Sequence, residues 1–324
     1  MSGLAIRTRG LSRRFGEVLA VDALNLEVPA GAVTGFLGPN GAGKTTALRL
    51  ILGLIRPDAG RVELFGESLA ARREALLGRV GALVETPSLY PHLTGRENLE
   101  ATRRILGLDH RRVEQVLEVV RLQDAAHRLV GEYSLGMRQR LGLGLALLPE
   151  PRLLILDEPT NGLDPAGIQE MRRLVRRLPQ AEGVSVFLSS HLLAEVEQVA
   201  SHLAILDRGR CLFQGPTADL SAQRQGGVVV GVERAVEAAA LLVSAGWACE
   251  VVDGEVRVAT QGRAARGEIC RQLVEAGFAV HRLDETSASL EAAFLELTEV
   301  GSFAGGGSVG GGFAGGGSAG GEKR

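Results

Sequence analysis

Eight residues near the start of the chain have the types and spacing of a loop that binds phosphate. Residues 38–45 read GPNGAGKT and match the pattern GxxxxGK(S/T). Glycines let the backbone curl until successive N–H groups face one anion, and the helix predicted over Thr45–Leu54 adds the positive end of its dipole. We therefore expect a nucleotide to bind here through its phosphates, at a site made of Gly38, Pro39, Asn40, Gly41, Ala42, Gly43, Lys44, Thr45 and Thr46.

Lys44 is the residue of this loop whose type is most informative. It is the first lysine of the chain, the next is Lys323, and every other basic side chain is an arginine. An ammonium group is a compact charge on a flexible stem that reaches β- and γ-phosphates, whereas a planar guanidinium is bulkier. We therefore expect Lys44 to bind the phosphates of the nucleotide and to take part in catalysis. The neighbouring Thr45 offers a hydroxyl to Mg²⁺.

Two acidic residues follow a short apolar strand much further along the chain. Residues 153–159 read LLILDEP, so Asp157 and Glu158 lie at the carboxyl end of the strand, where ligands bind in open α/β sheets. We expect Asp157 to hold Mg²⁺, directly or through water, and Glu158 to accept a proton from the attacking water or to orient it. The alternative is that both acids only cap a helix or line a loop.

The elements that must position these residues alternate between short strands and helices. Continuous apolar runs predict strands buried on both faces, and the helices between them predict a largely parallel sheet of an α/β fold. Residues 88–150 show helical periodicity alone, and we interpret them as a helical subdomain inserted into the sheet domain. The predicted strands are Val33–Leu37, Val80–Val84, Leu153–Leu156, Val184–Leu188 and Leu203–Leu206, and the predicted inserted helices are Glu97–Leu106, Val113–Arg121 and Leu135–Leu148.

The sequence pattern changes after residue 222. Residues 226–283 predict a strand, a helix, a hairpin, a second helix and a last strand, and the order βαββαβ is typical of a ferredoxin-like α+β domain. A closing helix is predicted at 289–299. The glycine-rich end of the chain has too few apolar side chains to form a core, so we expect a disordered tail. The predicted domains are therefore residues 1–222, 223–300 and 301–324.

Composition and charge weigh against several classes of protein. The net charge is −2 and the arginines occur in pairs but not in longer runs, so we expect no nucleic-acid partner. No apolar run is long enough to span a bilayer, and the N-terminal residues lack the apolar core of a signal peptide. Cys211, Cys249 and Cys270 have no metal-ligand spacing, so we interpret them as reduced thiols that fill the core of a cytoplasmic protein.

These motifs, in this order, resemble those of the ATP-binding subunit of an ABC transporter over residues 4–215. Residues 133–139, YSLGMRQ, stand where the family has its LSGGQ signature, and residues 161–164, NGLD, resemble its D-loop. His191 in SSHLLAEVE resembles the switch histidine, and Phe15 stands where the family stacks an aromatic ring on adenine. The resemblance implies a P-loop ATPase with ATP and Mg²⁺ as cofactors and with the switch histidine at the γ-phosphate.

The resemblance also implies a site shared between two chains. Ser134 and Gly136 of the signature, and Asp164 of the D-loop, would face a nucleotide held by a second copy or by a related ATP-binding chain. Simpler interpretations stay open for several of these residues. Ser134 is also suited to cap the helix that follows it, His191 to begin a surface helix, and Phe15 to fill the core.

Three features depart from the family pattern. Glu85 stands where the family usually has glutamine, so it adds negative charge near Mg²⁺ and the triphosphate, and we expect it to contact both. Leu135 and Met137 replace a glycine and a glutamine of the signature, and Phe15 replaces the commoner tyrosine. None of these changes removes a group needed for hydrolysis, so we expect an active ATPase.

The expected function follows from the resemblance, which extends to antibiotic-resistance exporters of the daunorubicin and bacitracin kind. We expect two ATP-binding subunits to power the efflux of drugs, antibiotics or peptides through a separate membrane permease, at the inner face of the cell membrane. Residues 87–99 resemble the surface that receives the permease. The alternatives are an ABC ATPase that acts on ribosomes or nucleic acid, and a regulatory module without turnover. The single phosphate loop weighs against the former and Glu158 against the latter.

Overall fold

The structure, a computed structural model, describes residues 3–222, 227–260 and 263–286. Its strands are β1 (Leu4–Phe15), β2 (Val18–Pro29), β3 (Val33–Leu37), β4 (Ala59–Leu64), β5 (Glu67–Ser68), β6 (Val80–Leu83), β7 (Leu153–Asp157), β8 (Ser185–Ser190), β9 (His202–Asp207), β10 (Arg210–Pro216), β11 (Gly227–Val232), β12 (Cys249–Val252), β13 (Glu255–Ala259) and β14 (Val280–Thr286). Its helices are α1 (Lys44–Ile51), α2 (Arg73–Leu77), α3 (Gly95–Ile105), α4 (Arg111–Val119), α5 (Leu135–Leu147), α6 (Pro165–Glu182), α7 (Leu193–Glu197), α8 (Thr217–Ala222), α9 (Ala235–Ser244) and α10 (Arg263–Glu275).

A six-stranded sheet contains all five of the strands predicted from apolar runs in the first 215 residues. Its order is β10-β9-β3-β8-β7-β6, and every neighbouring pair is parallel except β9 and β10. Strands β3, β7 and β8 are buried along their whole length, as their continuous apolar runs predict. The prediction of a largely parallel sheet is therefore confirmed. Because β3, β7 and β8 are neighbours, the segments that follow them meet at one edge of the sheet.

The predicted alternation of strands and helices from residue 4 onward is wrong for the first two strands. β1 and β2 are each 12 residues long and pair antiparallel, in a four-stranded sheet of order β2-β1-β4-β5. Leu24, Leu26 and Val28 of β2 are buried, whereas Asn25 and Glu27 between them are exposed. A search for continuous apolar runs misses strands of this kind, because one of their sides faces solvent.

The three predicted inserted helices, α3, α4 and α5, are confirmed between β6 and β7. Helix α3 begins with a capping box, in which Thr94 Oγ1 accepts a bond from the Glu97 N–H at 3.2 Å and the Glu97 carboxylate accepts one from the Thr94 N–H at 2.8 Å. The bond from the Thr94 backbone is the main reason that the pKa of Glu97 is lowered. Leu99, Val116 and Leu141 bury the apolar sides of the three helices in one core with the parallel sheet.

The C-terminal strands form a separate antiparallel sheet in the order β12-β13-β11-β14. Helices α9 and α10 cover one face of it with Leu242 and Leu273, which are fully buried against Val230 and Val256. The order of elements and of strands confirms the ferredoxin-like prediction. The helix predicted at 289–299 and the tail predicted at 301–324 lie outside the described residues. The domain boundaries at residues 222 and 300 stay predictions.

The helices and cysteines bear on two further expectations. Within the described ranges, no helix is both long enough and apolar enough to cross a membrane. Cys211, Cys249 and Cys270 are free thiols that are only half-buried, so the interpretation of them as core residues holds only in part. Burial raises the pKa of the Cys211 thiol to about 11, and it also raises the pKa of Cys249. Both thiols are therefore protonated and weakly nucleophilic at neutral pH.

Candidate nucleotide-binding site

The phosphate loop joins the buried strand β3 to helix α1, the context in which its sequence pattern carries meaning. Two of its glycines are required by the surrounding backbone. A Cβ atom on Gly43, where φ is +101°, would lie 2.2 Å from the Ala20 carbonyl oxygen, and one on Gly38 would lie 2.3 Å from the Leu206 carbonyl oxygen. The loop is therefore pressed against its neighbours, and no other residue type fits at either position.

Lys44 is the first residue of α1 and is only 6% exposed. Its Nζ donates to the carbonyl oxygens of Gly38 at 2.7 Å and Pro39 at 3.2 Å, and it lies 3.5 Å from Glu158 Oε1. The Lys44 ammonium group thus contacts the phosphate loop, which directly precedes α1. The same three donor hydrogens are suited to bind phosphate oxygens.

Asp157 ends strand β7 next to the phosphate loop and is 8% exposed. Its Oδ2 accepts a bond from Thr45 Oγ1 at 2.9 Å and its Oδ1 accepts one from Ser189 Oγ at 2.5 Å. Two of the three residues predicted to contact Mg²⁺, Thr45 and Asp157, therefore lie in direct contact, 112 positions apart in the chain. Carboxylate and hydroxyl oxygens are the donors that Mg²⁺ prefers, so this pair fits the metal.

Sequence reasoning did not identify Ser189 as part of the site. Its hydroxyl contacts Asp157 Oδ1 and accepts a bond from the Glu158 N–H at 3.0 Å. Strand β8 pairs with β7 in a register that places Ser189 opposite Asp157. The available signal was the pair of serines that ends an apolar strand just before His191.

Glu158, His191 and Lys44, the three predicted catalytic residues, meet in the structure. His191 Nδ1 lies 2.7 Å from Glu158 Oε2, and the Lys44 ammonium lies on the side of Oε1. The backbone of Glu158 has a φ of +48°, a left-handed conformation that is rare outside glycine. Such a conformation costs about 1–3 kcal/mol and persists only where surrounding contacts hold it. The carboxylate is therefore held in one place, between an ammonium and an imidazole.

The remaining predicted ligands lie on other elements. Ser134 Oγ caps α5 by accepting a bond from the Met137 N–H at 3.2 Å, and Asp164 caps α6 by accepting one from the Gly167 N–H at 3.1 Å. None of the hydrogen bonds of Ser134 or Asp164 among the described residues reaches the phosphate loop. Phe15 ends β1 with 47% of its surface exposed and with the Arg13 guanidinium 4.9 Å from its ring centroid. Phe15 is thus open to a ligand on one side and is not a core residue.

Glu85 follows β6 and forms an ion pair with Arg49 of α1. Arg49 lies four residues after Thr45, and positions i and i+4 of a helix share a face. The pair offsets the negative charge that Glu85 brings toward the predicted metal site. This partner could not be predicted from the sequence, because 36 positions separate the two residues.

This pairing leads to a prediction about metal dependence. The substitution Glu85→Gln should raise the Mg²⁺ concentration for half-maximal ATP hydrolysis by roughly 3- to 10-fold, because metal affinity follows the charge of the surrounding ligands. Arg49→Gln should lower it, because it leaves the carboxylate uncompensated. A magnesium titration of ATPase activity measures both. Shifts in the same direction for the two variants, or none, would contradict a contact between Glu85 and the metal.

Known proteins resemble this chain in sequence over much of its length. A family model described as "ABC transporter" matches residues 21–161. The bacitracin transport ATP-binding protein BcrA of Bacillus licheniformis is 48% identical over 212 residues, 65% of this chain and 69% of that protein. The daunorubicin resistance ATP-binding protein DrrA3 of Streptomyces coeruleorubidus is 37% identical over 310 residues, 92% of this chain and 97% of that protein.

A solved structure supports the same assignment. It is that of an ATP-binding subunit of an ABC transporter, which superimposes with a TM-score of 0.59 and 30% identity over 68% of this chain and 92% of that one. The phosphate loop and the acidic pair lie in the part of the chain that the family model matches. The chain therefore belongs to the ATP-binding subunits of ABC transporters, and it binds and hydrolyses ATP.

Proposed function

We propose that this ATPase energises a separate membrane permease that exports drugs, antibiotics or peptides. The observation that carries the proposal is similarity to a daunorubicin resistance protein over 92% of this chain, which includes the region after the ATPase core. The identity of 48% to a bacitracin transport protein supports the same class of cargo. The chain would act at the inner face of the cell membrane, held there by the permease.

The residues of the site have separate roles in this proposal. Thr45 and Asp157 would hold Mg²⁺, with Glu85 beside them, and the metal would supply positive charge against the phosphates of the nucleotide. Lys44 exchanges its bonds to the loop carbonyl groups for bonds to phosphate oxygens. Glu158 takes the proton of the attacking water. His191 orients the Glu158 carboxylate and contacts the γ-phosphate, while Phe15 stacks on the adenine.

A complete site requires a second ATP-binding chain in this proposal. Ser134 caps α5 and Gly136 lies in its first turn, and this helix end faces the nucleotide of the partner copy together with Asp164. A Cβ atom on Gly136 would lie 3.8 Å from Leu163, an ordinary contact, so nothing within the described part of this chain requires glycine there. Close approach of an external phosphate supplies a reason for it.

Substitutions of Ser134 separate its role as a helix cap from its role at the nucleotide. Aspartate caps a helix as well as serine does, so Ser134→Asp should leave the free energy of unfolding within about 0.5 kcal/mol, whereas Ser134→Ala should lose about 1 kcal/mol. For the rate of ATP hydrolysis the order should reverse, with Ser134→Asp slower than Ser134→Ala, because the added carboxylate repels the partner's triphosphate. Chemical denaturation and ATPase assays give the two rankings. A serine that only caps its helix would produce the same ranking in both.

The permease itself is tested by co-purification from membranes. Residues 90–94 belong to the surface predicted to receive the permease. Asn98, which is 2% exposed, holds them in place by donating to the carbonyl oxygens of Tyr90 at 3.1 Å and Thr94 at 2.9 Å. Tyr90 is 55% exposed. Tagged wild-type chain should retain an integral membrane protein, and Tyr90→Ala should lose it while free ATPase activity persists. Retention of ribosomes or DNA in place of a membrane protein would refute the transport role.

A further inference from the structure

One buried carboxylate outside the predicted set lies just behind the catalytic residues. Glu195 of α7 is 8% exposed. Its Oε2 accepts a hydrogen bond from Thr160 Oγ1 at 2.5 Å, and its Oε1 lies 3.7 Å from Arg172 Nη2 of α6. The Arg172 guanidinium also donates to Gln198 Oε1 at 2.8 Å. These four residues form a polar cluster shared by α6, α7 and the turn after β7.

Glu195 is the buried member of this cluster, and its contacts therefore matter. A buried carboxylate destabilises the fold unless it is paired and hydrogen-bonded. The Glu195 side chain is only 11% exposed and the Arg172 side chain 21%, so water screens the pair weakly. Glu195 has no role in the predicted chemistry of ATP hydrolysis, so that chemistry does not explain why it is buried.

The cluster is connected to both catalytic segments. Thr160 lies in the turn that follows Glu158, where the Asn161 N–H donates to the Glu158 carbonyl oxygen at 3.0 Å. That turn contains the left-handed backbone of Glu158, which needs external contacts to persist. Glu195 lies four residues after His191, on the helix that the switch segment leads into. The Thr160–Glu195 bond therefore joins the Glu158 turn to the His191 segment at the end away from the phosphates.

We propose that Glu195 is a positioning residue. Through its bond to Thr160 it fixes the position of the Glu158 turn relative to the His191 segment. This inference rests on the proposed catalytic role of Glu158 and adds to it a requirement outside the reacting groups. The contact between Glu158 Oε2 and His191 Nδ1 depends on two segments 33 positions apart. Without the bond to Glu195 the turn relaxes and the carboxylate leaves its place. The phosphate loop is unaffected, because none of the cluster's hydrogen bonds or ion pairs within the described part of the chain reaches it.

Paired substitutions at Thr160 test the proposal in the purified full chain. Valine has nearly the shape of threonine but no hydroxyl, whereas serine keeps the hydroxyl. Thr160→Val should lower kcat about 10-fold or more, as small displacements of catalytic groups do, with the Kd for ATP within about 2-fold of wild type. Thr160→Ser should keep kcat within about 3-fold. Glu197→Gln, on the exposed side of the same helix, should change neither quantity.

A double-mutant cycle assigns the effect to the bond itself. Glu195→Ala should lower kcat as Thr160→Val does, and the double variant should be no worse than the poorer single variant. Unchanged kcat in Thr160→Val, equal losses in kcat and ATP affinity, or full additivity would each overturn the proposal. Glu158→Gln is included in the same assay. If it retained turnover, the catalytic role of Glu158 would fail, an outcome that the Thr160 pair does not mimic.

Discussion

Replacing Glu158 by glutamine is expected to lower kcat for ATP hydrolysis by roughly 10²- to 10⁴-fold, the usual contribution of a general base. ATP binding should persist, because the phosphate loop and Lys44 are unchanged. The amide has nearly the size and shape of the carboxylate, and its oxygen still accepts a bond from His191, which lies 2.7 Å from Glu158 Oε2. What disappears is the ability to accept a proton from water. Release of inorganic phosphate in single-turnover experiments measures the loss directly.

The same variant should also remain dimeric for longer with ATP bound. Because a complete site requires two chains around ATP, we expect hydrolysis to release the dimer, so a chain that binds ATP without turnover accumulates as the dimer. Size-exclusion chromatography with ATP and Mg²⁺ shows this as a larger species. Glu197→Gln, an exposed carboxylate on α7, serves as the matched control. Phosphate release from Glu158→Gln at a rate near that of wild type would show that another group takes the proton.

The second large effect is expected at Lys44, where Lys44→Ala should weaken ATP binding by roughly 10- to 100-fold. The estimate corresponds to the loss of charge-assisted hydrogen bonds worth about 1.5–3 kcal/mol. Lys44→Arg should not restore binding. Lys44 is 6% exposed and its Nζ lies 2.7 and 3.2 Å from two loop carbonyl oxygens, so we expect the bulkier planar guanidinium to fit poorly. Isothermal titration with a non-hydrolysable ATP analogue gives the affinities.

Of the two Lys44 variants, Lys44→Arg gives the more specific test. The chain uses arginine for every other basic position before residue 323, so a rescue by arginine would remove the reason given for the lone lysine. Arg9→Ala, on the exposed side of β1, removes one positive charge elsewhere and should leave affinity unchanged. A comparable loss in Arg9→Ala would indicate a general electrostatic effect in place of direct phosphate contact.

Much of the site was predictable because its signals are local. The residues from Gly38 to Thr45 carry their own turn chemistry, and the strand before Asp157 and Glu158 is apolar on both faces, which specifies a buried parallel strand. The order βαββαβ after residue 226 is likewise read from periodicity and turn residues, and the structure reproduces it.

Other features could not be predicted because long-range pairing decides them. Ser189 joins the site through the register of β8 on β7. The Arg49–Glu85 pair depends on how α1 lies beside the segment after β6. The antiparallel sheet of β1 and β2 could not be predicted from apolar runs, because strands with one solvent-exposed face lack the continuous apolar runs of strands buried on both faces.

By itself, then, the sequence determined which groups are present and the short elements that carry them, since backbone propensity and apolar spacing act over a few residues. The tertiary structure alone decided which of these groups meet. Asp157 lies against Thr45, and Glu158 lies between Lys44 and His191. It also decided that Glu195 is buried behind them. These contacts join segments tens of residues apart, and their geometry follows from strand order and packing.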